Sequence, residues 1–487
     1  MSHSNSFFAA IGNTAVDQKR IAVNLNWGQT NNRNYPNLAI LFNECSFFDL
    51  GKLHLHVFGK VFNSGIIHEN FTADKLPLLK GNFVALLIDH QNNTVSLYSA
   101  ISGNIPAYII ETNDAVYLTS QLRAFRKTEL FQRRLIPLDT YHYSYTDSFP
   151  QNFSLMQNCE RVIPGMLYAF SIGQKSKMTG RRALKEIRSQ HLAIDKIEAK
   201  EKLYGLLQKN ITENIQAGEK VAVPLSGGVD SGTIAGMLSK NGHETYTFSI
   251  GTEFGNEYEK AKLSAEFCHS NHTEIFISDN EYLEGLLYST FYNEICDPLY
   301  AEGFPAFYEA AKQASKITSK LFTGYGADLV LGNMFNAEDE NAINAKNASW
   351  CRRTSWTGEL SPYVPGIFGC EMFYPYWSEE LLDFALSLPA GLLQNATHEK
   401  IILRELSEEK KLAHPDIAWN KKTALTHGTS LDKVFAKLLK LKNPADYLSK
   451  SRFLYYLFEA FFVSDQEISE VDIEAILKKS KEYDLTH

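Results

Sequence analysis

The residues best suited to chemistry fall in one short run, Val221 to Ser231, VAVPLSGGVDS. Val221, Ala222, Val223 and Leu225, with Pro224 among them, read as a buried strand. Ser226, Gly227, Gly228, Asp230 and Ser231 follow where that strand must turn into a helix, SGTIAGMLSK, which stops at Gly242. The glycines permit a tight turn, and an anion placed there would meet backbone N–H groups, two hydroxyls and the positive end of a helix. That is the chemistry of phosphate binding. The spacing is not that of the Walker loop, because GxxxxGK[ST] is absent. A glycine-rich turn that holds no ligand is the structural alternative.

A second acidic group stands in TGYGADLVLG, where Gly324, Tyr325 and Gly326 precede Asp328 at the end of another expected strand. Asp230 and Asp328 could share Mg²⁺ ions with a triphosphate, a ligand that needs hard oxygen donors and water. Asp328 could equally cap a helix. The turn Ser249, Ile250, Gly251 would lie where an adenine and its ribose meet a sheet edge, with Gly251 allowing close approach.

The elements that must position these groups alternate strand and helix. After the loop and its helix come the strand Thr245–Ile250, a turn, a helix to about Cys268, the strand Thr273–Ile277, two helical segments with Pro305 in the first turn of the second, and the strand Ser319–Thr323. This is the pattern of a parallel, doubly wound α/β sheet with ligands at the carboxyl ends of its strands. From about residue 340 the chain reads as mainly helical, with Asn333–Asn347 a polar loop. Before about residue 190 the runs are short and β-rich: Arg20–Leu25, Lys52–Phe62, Asn82–Asp89, Thr94–Ser99, Ala107–Glu111, Ala115–Thr119 and Met166–Phe170. Turn residues separate them, as in an antiparallel layered α+β domain. An amphipathic helix within Arg181–Gln216, with Ile197, Leu203, Leu206, Leu207, Ile211 and Ile215 on its apolar side, joins the two regions. The expected domains are 1–190 and 191–487.

A chain of 487 residues is too long for one ordinary core, and 44% hydrophobic with 21% charged residues describes a globular protein. The net charge of −8, with both signs interspersed, argues against a general nucleic-acid binder. Cys45, Cys159, Cys268, Cys296, Cys351 and Cys370 form no CxxC pair, so buried thiols in a reducing compartment are expected rather than zinc or disulfides. The start, MSHSNSFFAAIGN, has no basic segment followed by an apolar core, and no run approaches the roughly 18 apolar residues of a membrane span. A cytoplasmic protein without a membrane partner is the expectation.

S-G-G-x-D-S resembles the pyrophosphate loop of the ATP pyrophosphatases, which cut ATP between its α and β phosphates. GNFVALLIDHQNNTVSLYSAISGNIPAYI resembles the glutaminase domain of asparagine synthetase, with Asn82 at an aspartate position, Ile101 at an arginine position and Ser2 where an N-terminal cysteine would attack. The resemblance therefore implies an inactive, Ntn-hydrolase-like α+β sandwich followed by an ATP-pyrophosphatase-type α/β domain with a helical C-terminal part. The loop, SIGTEFGNEYE, FYNEI, TGYGADLVLG, WTGE and KKTALTHGTS together resemble the carbapenam and β-lactam synthetases. What this implies is an ATP- and Mg²⁺-dependent ligase that closes a β-lactam from a small-molecule β-amino acid through an acyl adenylate. Carboxymethylproline is the implied substrate, and a homo-oligomer is expected by analogy.

The same resemblance places a tyrosine–glutamate base on Tyr325 and Glu359, with Gly326 beside the substrate, and a pyrophosphate-stabilising lysine on Lys422. Phe373 stands where relatives often carry arginine. The alternatives are another asparagine-synthetase-like amide ligase, lasso-peptide closure included, and a nucleotide-binding protein without catalysis.

Overall fold

The computed structural model describes residues 5–12, 15–27, 30–142, 150–173, 175–332, 340–395, 397–420 and 428–482. In the N-terminal region two antiparallel six-stranded sheets face each other. One has the order Cys159–Arg161, Tyr108–Glu111, Val116–Thr119, Phe7–Ile11, Leu38–Phe42, Asn31–Tyr35. The other runs Met178–Ala183, Met166–Ser171, Thr94–Ser99, Gly81–Asp89, Leu53–Val61, Ser46–Asp49. Inward residues of both sheets, among them Phe7, Ile40, Phe58, Leu86 and Phe170, are fully buried in a shared core, where Phe7 stacks on Phe58 with ring centroids 4.4 Å apart. Six of these strands, including Phe7–Ile11 and Leu38–Phe42, were not expected from turn signals. Both of those are apolar throughout and buried at every position, so they show no alternation.

Arg20–Leu25 is not a strand. Helix Gln18–Asn24 occupies it, begun by Asp17, whose carboxylate accepts from the Arg20 N–H at 2.9 Å. Ile21, Asn24 and Leu25 are its buried residues, the three- and four-residue spacing of one helical face.

The second region is built on the parallel strands Asn271–Phe276, Glu244–Thr252, Lys220–Pro224, Lys320–Phe322 and Glu371–Phe373, adjacent in that order, with a short antiparallel hairpin partner at Gly255–Asn256. In chain order this is 3-2-1-4-5, so the sheet reverses direction between Lys220–Pro224 and Lys320–Phe322, the place where doubly wound sheets bind ligands. Val221, Ala222 and Val223 have no exposed surface, as a strand covered on both faces requires. Helix Lys196–Thr212 packs Leu203, Leu207 and Ile211 inward, while Ile197 points to solvent at 75% exposure. Helix Pro298–Ala314 begins at Pro298, which puts Pro305 inside it rather than in its first turn. Of the expected polar loop, residues 340–347 belong to helix Glu340–Thr357, and residues 333–339 lie outside the described residues. The remainder is helical, and Tyr447–Phe462 packs against the N-terminal region. Among the described residues no helix is long and apolar enough to cross a membrane, and all six cysteines are free.

Candidate active site

At the reversal point lies a cavity of about 270 Å³. Strand Lys220–Pro224 delivers Pro224, Leu225, Ser226, Gly227, Gly228, Asp230 and Ser231 to it, the neighbouring strands deliver Ser249, Ile250, Gly324, Tyr325 and Asp328, and Glu359 closes one side. Two expected residues are not on its wall. A Cβ at Gly251 would come within 2.3 Å of the Tyr258 hydroxyl, and one at Gly326 (φ +97°) within 3.2 Å of Trp377. Close packing alone leaves room for no side chain at either glycine. Lys422 lies outside the described residues.

The loop has the form its residues call for. Gly227 adopts φ +66°, and a Cβ there would stand 2.5 Å from the Lys260 Cβ. Ser226 Oγ and Ser231 Oγ are 3.3 Å apart. Gly228 caps helix Val229–Lys240 without a side-chain acceptor, so the first-turn N–H groups have no partner in the cap. Gly324 is pressed against this turn, since a Cβ there would be 2.6 Å from the Ser231 nitrogen.

Tyr325 Oη donates to Glu359 Oε1 at 2.8 Å, and the Thr357 hydroxyl donates to the other carboxylate oxygen. Glu359 is only 5% exposed. Burial pushes its carboxyl up to about 8, partly opposed by its backbone and Tyr325 hydrogen bonds. Burial and the neighbouring Glu359 charge hold the Tyr325 phenol well above the usual tyrosine range. The pair is therefore a shared proton site in which the carboxylate, not the phenol, is the natural acceptor.

Three groups were not anticipated. Lys400, 1% exposed, extends its ammonium to both Asp230 and Asp328. Burial lowers its pKa against the attraction of Asp230. A lysine at the start of helix Ile401–Glu409 opposes the helix dipole, and that mismatch was the available clue in HEKIILREL. Arg404 donates to the carbonyls of Ala418 and Asn420 at 2.7 and 2.9 Å, fixing the chain just before Lys421 and Lys422. Glu257 lines the cavity with a buried, unpartnered Oε2, and burial pushes it up to about 7.

Asp230 Oδ1 is likewise buried without a partner. It is a hard donor suited to a divalent cation. Among the described residues no three His, Cys, Asp or Glu side chains converge on a metal position, so such an ion would take its other ligands from a bound triphosphate and water.

Residues 202–365 and 366–458, more than half of the chain, match the asparagine synthase family. The chain belongs to the asparagine synthase family. It is 28% identical over 279 residues to a carboxyethyl-arginine beta-lactam-synthase of Streptomyces clavuligerus, covering 56% of this chain and 53% of that one. It is 23% identical over 409 residues to a glutamine-hydrolyzing asparagine synthetase of Gallus gallus, covering 80% and 69%, and 25% identical over 249 residues to that of Homo sapiens, covering 48% and 44%. The chain thus spans about half the length of most of these relatives. Among solved structures an NMN synthetase from Francisella tularensis aligns over 56% of this chain and 97% of its own, at 14% identity and a TM-score of 0.28. That score adds nothing to the topology described above.

Within the asparagine synthase frame the altered N-terminal positions have physical consequences. Asn82 lines a second cavity, of about 290 Å³, between the sandwich and the α/β region. Ile101 is buried, with its Cδ1 2.9 Å from where a Gly165 Cβ would stand, and offers no charge to a ligand. Ser2 is outside the described residues. Phe373 stacks on Phe322 at 4.8 Å and belongs to the core.

Proposed function

We propose that this chain is an ATP- and Mg²⁺-dependent amide ligase that cyclises a small β-amino acid to a β-lactam, carboxymethylproline to carbapenam-3-carboxylate being the preferred reaction. The observation that carries the reading is the Tyr325–Glu359 hydrogen bond of 2.8 Å, set in the same cavity as the phosphate loop.

The substrate carboxylate attacks the α-phosphorus of ATP, forming an acyl adenylate and releasing pyrophosphate. The loop N–H groups, Ser226, Ser231 and the Lys400 ammonium, all lining the cavity, would hold the departing phosphates. Mg²⁺, held through Asp230 and Asp328, would neutralise charge on those phosphates. The substrate's own amine then attacks the activated carbonyl, its proton passes to the Tyr325–Glu359 pair, and AMP leaves with one former carboxylate oxygen. Closing a strained ring requires the amine and acyl carbon to be held in attack geometry, a service the apolar wall of Leu299, Phe304, Phe307 and Met372 suits for a small saturated ring. The carboxyethyl-arginine relative supports lactam closure as the reaction class. With Asn82 and Ile101 as described, no ammonia supply is assigned to the N-terminal region.

The test is pyrophosphate release by the purified protein with Mg-ATP and, separately, carboxymethylproline, carboxyethylarginine, or aspartate plus ammonia, with mass spectrometry of each product. Pyrophosphate and a product lighter by one water only with carboxymethylproline are expected. Turnover of aspartate and ammonia would replace the lactam reading with an asparagine-forming one, and ATP binding without pyrophosphate would exclude these three substrates.

A further inference from the structure

We propose that the N-terminal sandwich takes part in catalysis through Arg161, a positioning residue that anchors the loop carrying Glu359 and whose charge acts on that carboxylate. The inference rests on the role given above to the Tyr325–Glu359 pair.

Arg161 ends the edge strand Cys159–Arg161, which among the described strands pairs with Tyr108–Glu111, and its N–H donates to the Asn152 carbonyl at 3.0 Å. The side chain is 4% exposed, lies over the Tyr108 ring at 5.4 Å and donates from NH1 to the Trp356 carbonyl at 2.9 Å. Two further contacts tie the same segment to the sandwich. Phe153 meets Trp356 edge-on at 5.2 Å, and the Ser355 hydroxyl donates to the Gln151 carbonyl at 2.9 Å. The far side of the loop is fixed by Asn293, which donates to the Ser361 carbonyl at 3.0 Å and whose own carbonyl is 2.5 Å from where a Cβ on Gly358 (φ +81°) would sit. Glu359 is thus clamped from two sides, and the sandwich supplies one of them.

The charged and titratable groups acting on Glu359 are Tyr325, Tyr300, Tyr374, Asp297, Arg353 and Arg161. Arg353 is already paired with Asp297. Arg161 has no ion pair among the described residues, and its charge acts on Glu294 and Glu359, lowering both carboxyls against the burial that raises them. A buried guanidinium is costly to maintain without such partners. Without it Glu359 would hold its proton more firmly and accept one from the amine less readily.

The experiment compares Arg161→Gln, which keeps a donor but loses the charge, with Arg161→Lys, which keeps the charge. The readout is the infrared stretch of the neutral Glu359 carboxyl, assigned by its loss in Glu359→Gln and titrated in the full chain. Loss of the charge should move the midpoint upward, with the acid limb of kcat following and KM unchanged. Arg161→Lys should stay near wild type. Arg161→Met, similar in volume, replaces the glutamine variant if that one does not fold. An unmoved midpoint in a folded neutral variant overturns the proposal, and so does a lysine variant that shifts as far as the neutral one. The infrared titration needs no substrate, so a normal titration in a chain that never turns over would sink the ligase reading and leave the Arg161–Glu359 linkage standing.

Discussion

In the proposed reaction Glu359 must lose its proton to work, in a setting that resists the loss. Its pKa of about 8 sets the expectation for activity: the lactam-forming rate rises with pH on the acid side with a midpoint near 8, and Glu359→Gln or Tyr325→Phe lowers kcat by about 10²–10⁴-fold, read from pH–rate profiles. Stability moves the other way. Between about 4.5 and about 8 the folded chain keeps a proton on Glu359 that the unfolded chain has released, so stability falls as pH rises through that window. Glu257 and Glu294, both pushed to about 7, act with the same sign. Denaturant midpoints should therefore decline less steeply over this range in Glu359→Gln than in wild type. Lys400→Met should cost about 3 kcal/mol by leaving Asp230 and Asp328 without their shared cation, and added Mg²⁺ should recover part of the lost melting temperature in this variant alone. Tyr325 and Glu359 were readable because each sits in a motif of recognisable order. Lys400 and Glu257 were not, because their importance arises from separations that only the fold closes.

Between residues and the whole lie the turns that bring strand ends together. Gly324 leaves so little room beside Ser231 that Gly324→Ala must part the phosphate loop from the Tyr325 turn. The expected result is a loss of activity on the order of 10²-fold in a variant whose circular dichroism remains native. Strand–helix alternation revealed four of the five parallel strands, including the mostly polar Asn271–Phe276, whose place between helical runs marked it. Glu371–Phe373 escaped because three residues carry no period, and Pro375 just beyond reads as a break. Gln18–Asn24 was misread because the apolar residues Ile21, Ala22, Val23 and Leu25 in RIAVNL imitate a strand when its capping aspartate is overlooked.

At the scale of the molecule the two regions are joined by buried polar contacts as well as by chain. Arg126, 3% exposed, donates to the carbonyls of Phe461, Asp465 and Gln466 at 2.9, 2.9 and 2.8 Å, so Arg126→Ala should lower unfolding stability by about 2–3 kcal/mol in urea titrations. Composition and period separated an antiparallel region from an α/β one, but the surfaces between them could not be read, because arginines such as Arg126 and Arg161 look like ordinary solvated charges in the sequence. The central claim is that this joined molecule activates a carboxylate as an adenylate before an amine attacks it. It is tested most directly by supplying a substrate whose carboxylate oxygens carry a heavy isotope and weighing the nucleotide product. The account predicts AMP bearing one labelled oxygen for each molecule of cyclic product. Unlabelled AMP, or labelled inorganic phosphate beside ADP, would contradict it.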